Sequence, residues 1–235
     1  MNQKIEKTAL VTGASSGIGK AISEKLIRLG YTVLGIGRTF QNQLPSGFHP
    51  LVLDLTDTNT LTTQIKKLRK EYHISILVNC AGVGYFGLHE ELNPKKIHEM
   101  VTVNLEVPLL LTQLLLRDLK ECHGYIFNIS SITAKKNNPH GCAYGATKAA
   151  LTSFSNSLFE EARKYGVKIT TIHPDMTKTE FYRNADFKEG ASQDSYLLAE
   201  EIASFIELTL SQREGIVLSD VTIQPQKHQL GKQVR

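Results

Sequence analysis

Short runs of β-branched and other apolar residues alternate along the chain with longer segments whose apolar residues recur about every 3.6 positions. The short runs predict strands at 8–12, 32–37, 49–55, 74–79, 125–130, 167–173 and 216–224. The longer segments predict helices at 17–29, 57–70, 94–120, 142–165 and 194–211. Because crossovers of this length join parallel strands, the pattern predicts an α/β fold with one doubly wound parallel sheet of about seven strands and helices on both faces.

Nothing along the chain divides this pattern into separate domains. The 235 residues contain no internal repeat, low-complexity segment or charged linker, so we expect one domain over 1–235. The polar end, 227–235, is consistent either with a frayed tail or with a subunit contact. Ligands of doubly wound sheets bind at the carboxyl ends of the strands, so residues at those ends are the candidates for function.

Composition and charge narrow the class of protein. Apolar residues make up 41% of the chain, enough for one substantial core, and 27 basic and 23 acidic residues leave a formal charge of +4. The basic residues form short scattered runs such as 66–70. Such runs are more typical of solvated helix faces than of a nucleic-acid surface, so no nucleic-acid partner is expected.

Cysteine usage and the apolar segments indicate the compartment. Cys80, Cys122 and Cys142 form no CxxC pair, which favours a reducing compartment over a disulfide framework. The N-terminus lacks the long apolar core and cleavage site of a signal peptide. The most apolar stretch, 105–119, is too short and too polar to span a membrane. We therefore expect a cytoplasmic protein without a membrane segment.

The first predicted strand runs directly into TGASSGIG at 12–19. Gly13, Gly17 and Gly19 would let backbone N–H groups and the following helix N-terminus approach a pyrophosphate, although a tight turn that merely needs glycine explains them equally well. A nucleoside-triphosphate P-loop is excluded because the glycine spacing is one residue too long and Ala21, rather than Ser or Thr, follows the lysine.

The end of the second predicted strand bears on the choice of dinucleotide. No Asp or Glu occurs from 31 to 48, where an acidic residue would bind the ribose hydroxyls of NAD. Arg38 and Thr39 stand there instead, and a guanidinium suits a 2′-phosphate. The alternative is a solvent-facing arginine in a loop. If a dinucleotide binds, the sequence therefore favours NADP(H) over NAD(H).

Five features occur in order along this framework. They are TGASSGIG (12–19), NCAG (79–82), Asn104, the two serines of ISS (129–131) and YGATK (144–148). Together they resemble the short-chain dehydrogenase/reductase family over residues 7–224. The resemblance implies a Rossmann fold and an NADP(H)-dependent oxidoreductase that transfers hydride between nicotinamide and a carbonyl or alcohol substrate. It also implies a homodimer or homotetramer that pairs through 94–120 and 142–165.

The same resemblance assigns four catalytic residues. Tyr144 is the general acid for carbonyl reduction and its phenolate is the base for alcohol oxidation, Ser131 binds the substrate oxygen, and Asn104 positions a water relay to Lys148. Tyr144 and Lys148 stand at i and i+4, so both side chains can face one cleft. A cation about 4 Å from the phenol would lower its pKa by up to about three units.

The resemblance also assigns cofactor-binding residues and no metal ligands. The cofactor-binding residues are Gly13, Ser15, Ser16, Gly17, Ile18, Gly19, Arg38, Thr39, Asp54, Leu55, Asn79, Ala81, Gly82, Tyr144, Lys148, Pro174 and Thr179. Among them, Asp54 and Leu55 correspond to the adenine contact. For the positions from 79 to 82, a turn closing a buried strand is the alternative. His140 and His173 have no second ligand at metal spacing, so loop or core packing is expected for both.

Departures from the family pattern fall close to the predicted site. Cys80 replaces the second asparagine of the usual NNAG, and Asp175 replaces the glycine that normally follows Pro174. Segment 176–193 corresponds to the variable substrate lid. Its side chains at Met176, Phe181, Tyr182 and Phe187 either line an apolar pocket or pack the lid shut. The short lid favours small or openly accessible carbonyl compounds.

Two other functions share parts of this pattern. Sugar-nucleotide epimerases and dehydratases have the same Tyr-x-x-x-Lys pair, but their glycine spacing is GxxGxxG and their C-terminal substrate domain is larger than the 61 residues that follow Pro174 here. A dinucleotide-sensing protein without turnover would be expected to have lost Tyr144 or Lys148, and both are present.

Overall fold

The protein forms a twisted parallel sheet with helices on both faces, as the sequence predicts. The structure, a computed structural model, describes residues 7–183 and 185–232. Its strands are β1 (Thr8–Thr12), β2 (Thr32–Gly37), β3 (Phe48–Val52), β4 (Ile74–Asn79), β5 (Tyr125–Ile129), β6 (Lys168–Pro174), β7 (Phe187–Glu189), β8 (Asp220–Ile223) and β9 (Leu230–Lys232). Seven of them form the main sheet in the order β3-β2-β1-β4-β5-β6-β8, and every pairing in it is parallel. The α/β doubly wound prediction is confirmed.

The helices cover the sheet because each presents a stripe of apolar side chains to it. They are α1 (Gly17–Arg28), α2 (Thr58–Glu71), α3 (Pro94–Val101), α4 (Val107–Glu121), α5 (Cys142–Ala162) and α6 (Ala199–Leu210). Leu10 of β1 faces the core beneath α2, α4 and α5, whereas its neighbours Ala9 and Val11 face the core beneath α1 and α6. This alternation along a strand buried on both sides produces two apolar layers.

One predicted helix, 94–120, is divided by a π-helical turn over Thr102–Glu106. Together α3, this turn and α4 make Pro94–Glu121 the one helical stretch in the described residues with the length and apolar content of a membrane span. Leu111, Leu115 and Leu119 are fully buried in the core beneath the sheet. The stretch therefore has the packing of a core helix.

The chain after α5 differs most from the sequence prediction. The last predicted helix, 194–211, begins only at Ala199. Leu197 forms a β-bridge with Thr177, so it lies outside the helix. At the helix start, the Glu201 carboxylate accepts the N–H of Leu198. The last predicted strand, 216–224, is only four residues long, as β8.

Part of the polar end is ordered within the residues described, which argues against a frayed tail there. Residues Leu230–Lys232 form β9, which pairs antiparallel with β7 in the lid. Lys227 adds an ion pair with Asp194, 2.8 Å between Nζ and Oδ2. The C-terminal segment therefore holds part of segment 176–193 in place by strand pairing.

Candidate active site

A single cleft at the carboxyl ends of the strands collects most of the predicted site residues. The ones that line it are Gly13, Ser15, Ser16, Gly17, Ile18, Gly19, Arg38, Asp54, Leu55, Ala81, Gly82, Ser131, Tyr144, Lys148, Pro174 and Thr179. Thr39, Asn79 and Asn104 do not line it. Because parallel strands end at one edge of a sheet, residues that are far apart in sequence meet here.

The turn after β1 is built too tightly for side chains. Gly13 has φ +69°, and a Cβ on it would lie 2.9 Å from Cα of Ala81. A Cβ on Gly19 would lie 2.3 Å from the carbonyl oxygen of Gly13. The turn therefore brings the N-terminus of α1 to the floor of the cleft, where its partial positive charge and N–H groups favour a bound phosphate.

Asn79 contributes to the architecture below the cleft. Its Nδ2 donates to Oδ1 of Asn128 on β5 at 2.8 Å, and Asn128 in turn donates to Ser155 Oγ on α5 at 2.7 Å. The loop that follows Asn79 is held by Thr12, whose hydroxyl accepts the N–H groups of Cys80 and Ala81, both at 3.0 Å. Thr12, which the sequence analysis did not single out, is thus the link between β1 and the NCAG loop.

Tyr144, Ser131 and Lys148 meet deep in the cleft, with exposed fractions of 7%, 8% and 3%. Tyr144 and Lys148 lie on α5, and Ser131 follows the end of β5. A side-chain hydrogen bond from Ser131 lowers the pKa of the Tyr144 phenol, but burial has the larger effect and raises that pKa to about 12. The phenol therefore carries its proton at neutral pH.

Lys148 does not have the effect on Tyr144 that the sequence suggested. Its Nζ donates to the carbonyl oxygen of Ile129 at 2.9 Å and lies 5.8 Å from the centroid of the Tyr144 ring. Burial lowers the pKa of Lys148 to about 8. The expected downward shift in the Tyr144 pKa is therefore wrong for this arrangement, because desolvation opposes the charged form of both side chains.

Asn104 lies in the π-helical turn and is fully buried. Its Oδ1 accepts the N–H of Val83 at 2.8 Å, and its Nδ2 donates to the Val83 carbonyl at 2.9 Å and to Thr147 Oγ1 at 3.1 Å. The amide thus ties the loop after β4 to α5, one residue before Lys148. Its part in a water relay stays a prediction, and Thr147 is a partner that sequence reasoning missed.

Arg38 is exposed at the rim of the cleft, directly after β2. A Cβ on the preceding Gly37 would lie 2.9 Å from the Ser15 side chain, so the end of β2 packs against the glycine turn. Asp54 faces the same rim, and its pKa is lowered chiefly by hydrogen bonds from the N–H and hydroxyl of Thr56 and further by the charge of Arg38.

Aromatic side chains cover Tyr144. Phe86 and Phe181 each pack on Tyr144 with ring centroids 5.6 Å apart. Phe187 of β7 packs behind them, 5.1 Å from Phe86 and 5.4 Å from Tyr182. Phe181 and Tyr182 both line the cleft and pack against each other, so the two alternatives for these aromatics are not exclusive. Phe86 belongs to the same aromatic cluster, which the sequence did not reveal.

The two departures from the family pattern are accommodated without backbone strain. Asp175 does not adopt a positive φ, its Oδ1 accepts the N–H of Met176 at 2.8 Å, and its Oδ2 accepts Nε2 of Gln224 at 3.1 Å. Burial raises the pKa of the Cys80 thiol to about 12. Within residues 7–183 and 185–232, no group of three or more His, Cys, Asp or Glu side chains is arranged to hold a metal.

Comparisons with known proteins define the class. The family profile described as short chain dehydrogenase matches residues 7–190. An uncharacterized oxidoreductase of Staphylococcus epidermidis is 33% identical over 94% of this chain and 97% of its own length. The serine 3-dehydrogenase of Rhizobium radiobacter is 33% identical over 93% of each chain. The protein therefore belongs to the short-chain dehydrogenase family of oxidoreductases, which confirms the resemblance found in its sequence.

Solved structures agree with this assignment. An alcohol dehydrogenase from the archaeon Thermococcus sibiricus, complexed with 5-hydroxy-NADP, superposes with a TM-score of 0.82 at 25% identity and covers 94% of this chain and 97% of its own. A metagenomic short-chain oxidoreductase in complex with NADP gives a TM-score of 0.79 at 26% identity, with coverage of 95% and 99%. The Rossmann-type fold of the chain is thereby established.

Proposed function

We propose that this protein is an NADP(H)-dependent carbonyl reductase that also runs in reverse as an alcohol dehydrogenase, with reduction the favoured direction. The observation that carries the proposal is the placement of a protonated phenol, Tyr144, beside the Ser131 hydroxyl in the cleft that begins at the N-terminus of α1. A proton donor, an oxygen-binding hydroxyl and a phosphate-binding turn in one cleft are what carbonyl reduction with a nicotinamide dinucleotide requires.

The glycine turn and its surroundings fit a dinucleotide. Added Cβ atoms at Gly13 and Gly19 would meet backbone atoms, and a Cβ on Gly17 would lie 3.2 Å from the Thr179 side chain. The glycines thus keep the α1 N-terminus close to the cleft, with the cation of Arg38 at the rim. Two relatives of known structure bind NADP or a derivative of it. When bound, NADPH supplies the hydride.

The side chains in the cleft carry out the remaining steps of the proposed reduction. Tyr144 gives its proton to the carbonyl oxygen, and this transfer is downhill because an alkoxide is more basic than a phenolate. Ser131 donates a hydrogen bond to the same oxygen and stabilises the negative charge that develops there. The Lys148 ammonium, held by the Ile129 carbonyl, offsets only part of the cost of burying the phenolate that remains. Phe86 and Phe181 exclude water from the reacting atoms.

The aromatic cover and the short lid favour small carbonyl compounds. The direct test is to follow NADPH oxidation by the purified protein on a panel of ketones, diketones, quinones and acyl thioesters. Turnover of small ketones or diketones supports the proposal, whereas turnover confined to acyl thioesters would overturn the substrate class. Tight NADPH binding without turnover on any member would favour the alternative of a dinucleotide-sensing protein.

The preference for NADP(H) is tested at Arg38. Replacing Arg38 by alanine should raise the Kd for NADPH about tenfold, a loss expected for one charge-assisted phosphate contact at an exposed site, and leave the Kd for NADH unchanged. Fluorescence titration of both dinucleotides measures the two constants. The matched control is Arg28→Ala, which removes an exposed arginine at the far end of α1. Equal affinity of the unmodified protein for NADPH and NADH would refute the phosphate contact.

A further inference from the structure

A buried histidine lies directly behind the proposed oxygen-binding serine. His173, on β6, has no exposed surface. Its Nδ1 lies 3.2 Å from the backbone carbonyl oxygen of Ser131, and its Nε2 lies 3.2 Å from Oδ2 of Asp220 on β8. The imidazole therefore connects the backbone of Ser131 to a carboxylate on the edge strand of the sheet.

Both contacts of this imidazole are with hydrogen-bond acceptors. A neutral imidazole has only one N–H, so it can donate either to the carbonyl of Ser131 or to the carboxylate of Asp220, and its second nitrogen then presents a lone pair to the other oxygen. An imidazolium donates from both nitrogens. Protonation of His173 therefore completes the two hydrogen bonds, which one neutral ring cannot do.

The charged groups around His173 oppose one another. Burial is the largest influence and lowers its pKa, the Asp220 carboxylate and the Ser131 carbonyl raise it, and the ammonium of Lys135 lowers it. Lys135 contacts Oδ1 of Asp220 and donates to Thr222 Oγ1 at 2.9 Å. Lys135 and His173 thus share the Asp220 carboxylate. The ring nitrogen Nε2 of His173 contacts Oδ2, and the ammonium of Lys135 contacts Oδ1.

This network ends on the residue that touches the reacting oxygen in the proposed mechanism. Ser131 has its carbonyl against His173 and its hydroxyl next to Tyr144. The same hydroxyl accepts the N–H of Thr133 at 3.2 Å, so the serine's orientation depends on how firmly its backbone is held. We propose that His173 is a positioning residue, which together with Asp220 fixes the backbone of Ser131 and, when it becomes protonated, raises the rate of carbonyl reduction.

This inference rests on the proposed reductase function, and substitutions on β6 test the positioning. His173→Leu removes the ring contacts to both Ser131 and Asp220 and should lower kcat about tenfold, the size expected when a group near the reacting atoms is misplaced by a fraction of an ångström. The Kd for NADPH should stay within about twofold, since the serine acts on the substrate oxygen. His173→Asn retains an N–H near the position of Nδ1 and should recover most of kcat.

The control variant is Thr171→Val on the same strand. Thr171 is buried, pairs in register with Asp220, and has a hydroxyl for which the described residues offer no hydrogen-bond partner. The exchange is nearly isosteric, so kcat should equal that of the unmodified protein. If His173→Leu and Thr171→Val have the same kcat in a protein with established reductase activity, the positioning role is refuted, whereas a fall confined to His173→Leu supports it.

The pH profile separates a titrating network from a merely structural one. Asp220→Asn removes the carboxylate that raises the pKa of His173, so the titration of His173 should move to lower pH. Lys135→Met removes the ammonium that lowers this pKa, so the titration should move to higher pH. A plot of kcat against pH should show a step where His173 titrates. This step should move in the same direction as the titration in each variant and should be absent from His173→Asn.

Nitrogen NMR of histidine-labelled protein measures the protonation of His173 directly, with the signal assigned by its loss in His173→Asn. Opposite shifts in the Asp220→Asn and Lys135→Met variants support the network even if no substrate has been found, so failure of the proposed function remains distinguishable. A His173 signal that titrates identically in all three proteins, or a kcat profile that is unchanged in His173→Asn, would overturn the inference.

Discussion

Replacing Tyr144 by phenylalanine should lower kcat for NADPH-dependent carbonyl reduction by about a thousandfold, the range expected for loss of a general acid. The change removes one oxygen and leaves the ring, so its packing on Phe86 and Phe181 is retained. With its pKa raised to about 12 by burial, the phenol is the protonated group next to Ser131 at neutral pH. Without it, the developing alkoxide receives no proton from the protein.

The measurement is kcat on whichever carbonyl compound the panel identifies, together with the Kd for NADPH. We expect the Kd to change little because the ring remains in place. Tyr125→Phe is the matched control: it makes the same chemical change on β5, at the end of the strand opposite Ser131. A Tyr144→Phe protein that reduces the substrate as fast as the unmodified protein would show that another group donates the proton.

Replacing Lys148 by methionine should abolish reduction and at the same time stabilise the fold by about 2 kcal/mol at pH 7. Burial lowers the pKa of Lys148 from 10.5 to about 8. Such a shift corresponds to a cost of about 3 kcal/mol for keeping the ammonium charged in the folded protein. The methionine variant is relieved of this cost but also loses the hydrogen bond to the Ile129 carbonyl, which contributes about 1 kcal/mol to stability. The net gain in the free energy of unfolding is therefore about 2 kcal/mol.

The gain in stability depends on pH in a defined direction. At pH 7 the lysine is charged in both the folded and the unfolded chain, so the whole cost is present. As the pH rises from about 8 towards 10.5, the folded protein loses this proton before the unfolded chain does, and the cost disappears. The advantage of the methionine variant should therefore shrink over this interval.

Urea unfolding of both proteins at neutral and at alkaline pH measures this difference. Lys67→Met is the matched control, because Lys67 is exposed on α2 and its replacement should change the free energy of unfolding by less than about 0.5 kcal/mol. A Lys148→Met protein that is less stable than the unmodified protein at pH 7 would show that the buried ammonium contributes more by its contacts than it costs by its charge.

The central strands of the main sheet were predictable because they are buried on both faces, unlike the edge strands β3 and β8. β1 and β4 are mostly apolar, and a segment of helical periodicity follows each of them along the chain. The pairing of β7 with β9 was not predictable, because strands of three residues are too short to show a pattern of apolar and polar positions. Their pairing depends on where the fold brings the lid and the C-terminal segment together.

The candidate site likewise contains residues that the sequence reveals and residues that only the structure reveals. Tyr144, Ser131 and Arg38 were identified because each has a chemical group at a recognisable position in a motif. Asn79 was assigned to the cofactor on position alone, and only the structure shows its amide bonded to Asn128 beneath the cleft. Phe86 is not predictable from the sequence, because a phenylalanine in a loop belongs to no motif. The direction of the Tyr144 pKa shift depends on desolvation, which spacing in a sequence does not report.

The π-helical turn between α3 and α4 determines how the chain would respond to the insertion or deletion of one residue at this point. Such a turn closes its hydrogen bonds five residues apart instead of four, so it holds one residue more than an α-helical turn. When that residue is gained or lost, the helices on either side keep the same faces turned toward the core, and the leucines of α4 remain buried beneath the sheet. Deletion of a single codon between 102 and 106 should therefore withdraw the amide of Asn104 from the Val83 loop, with the rest of the domain left intact.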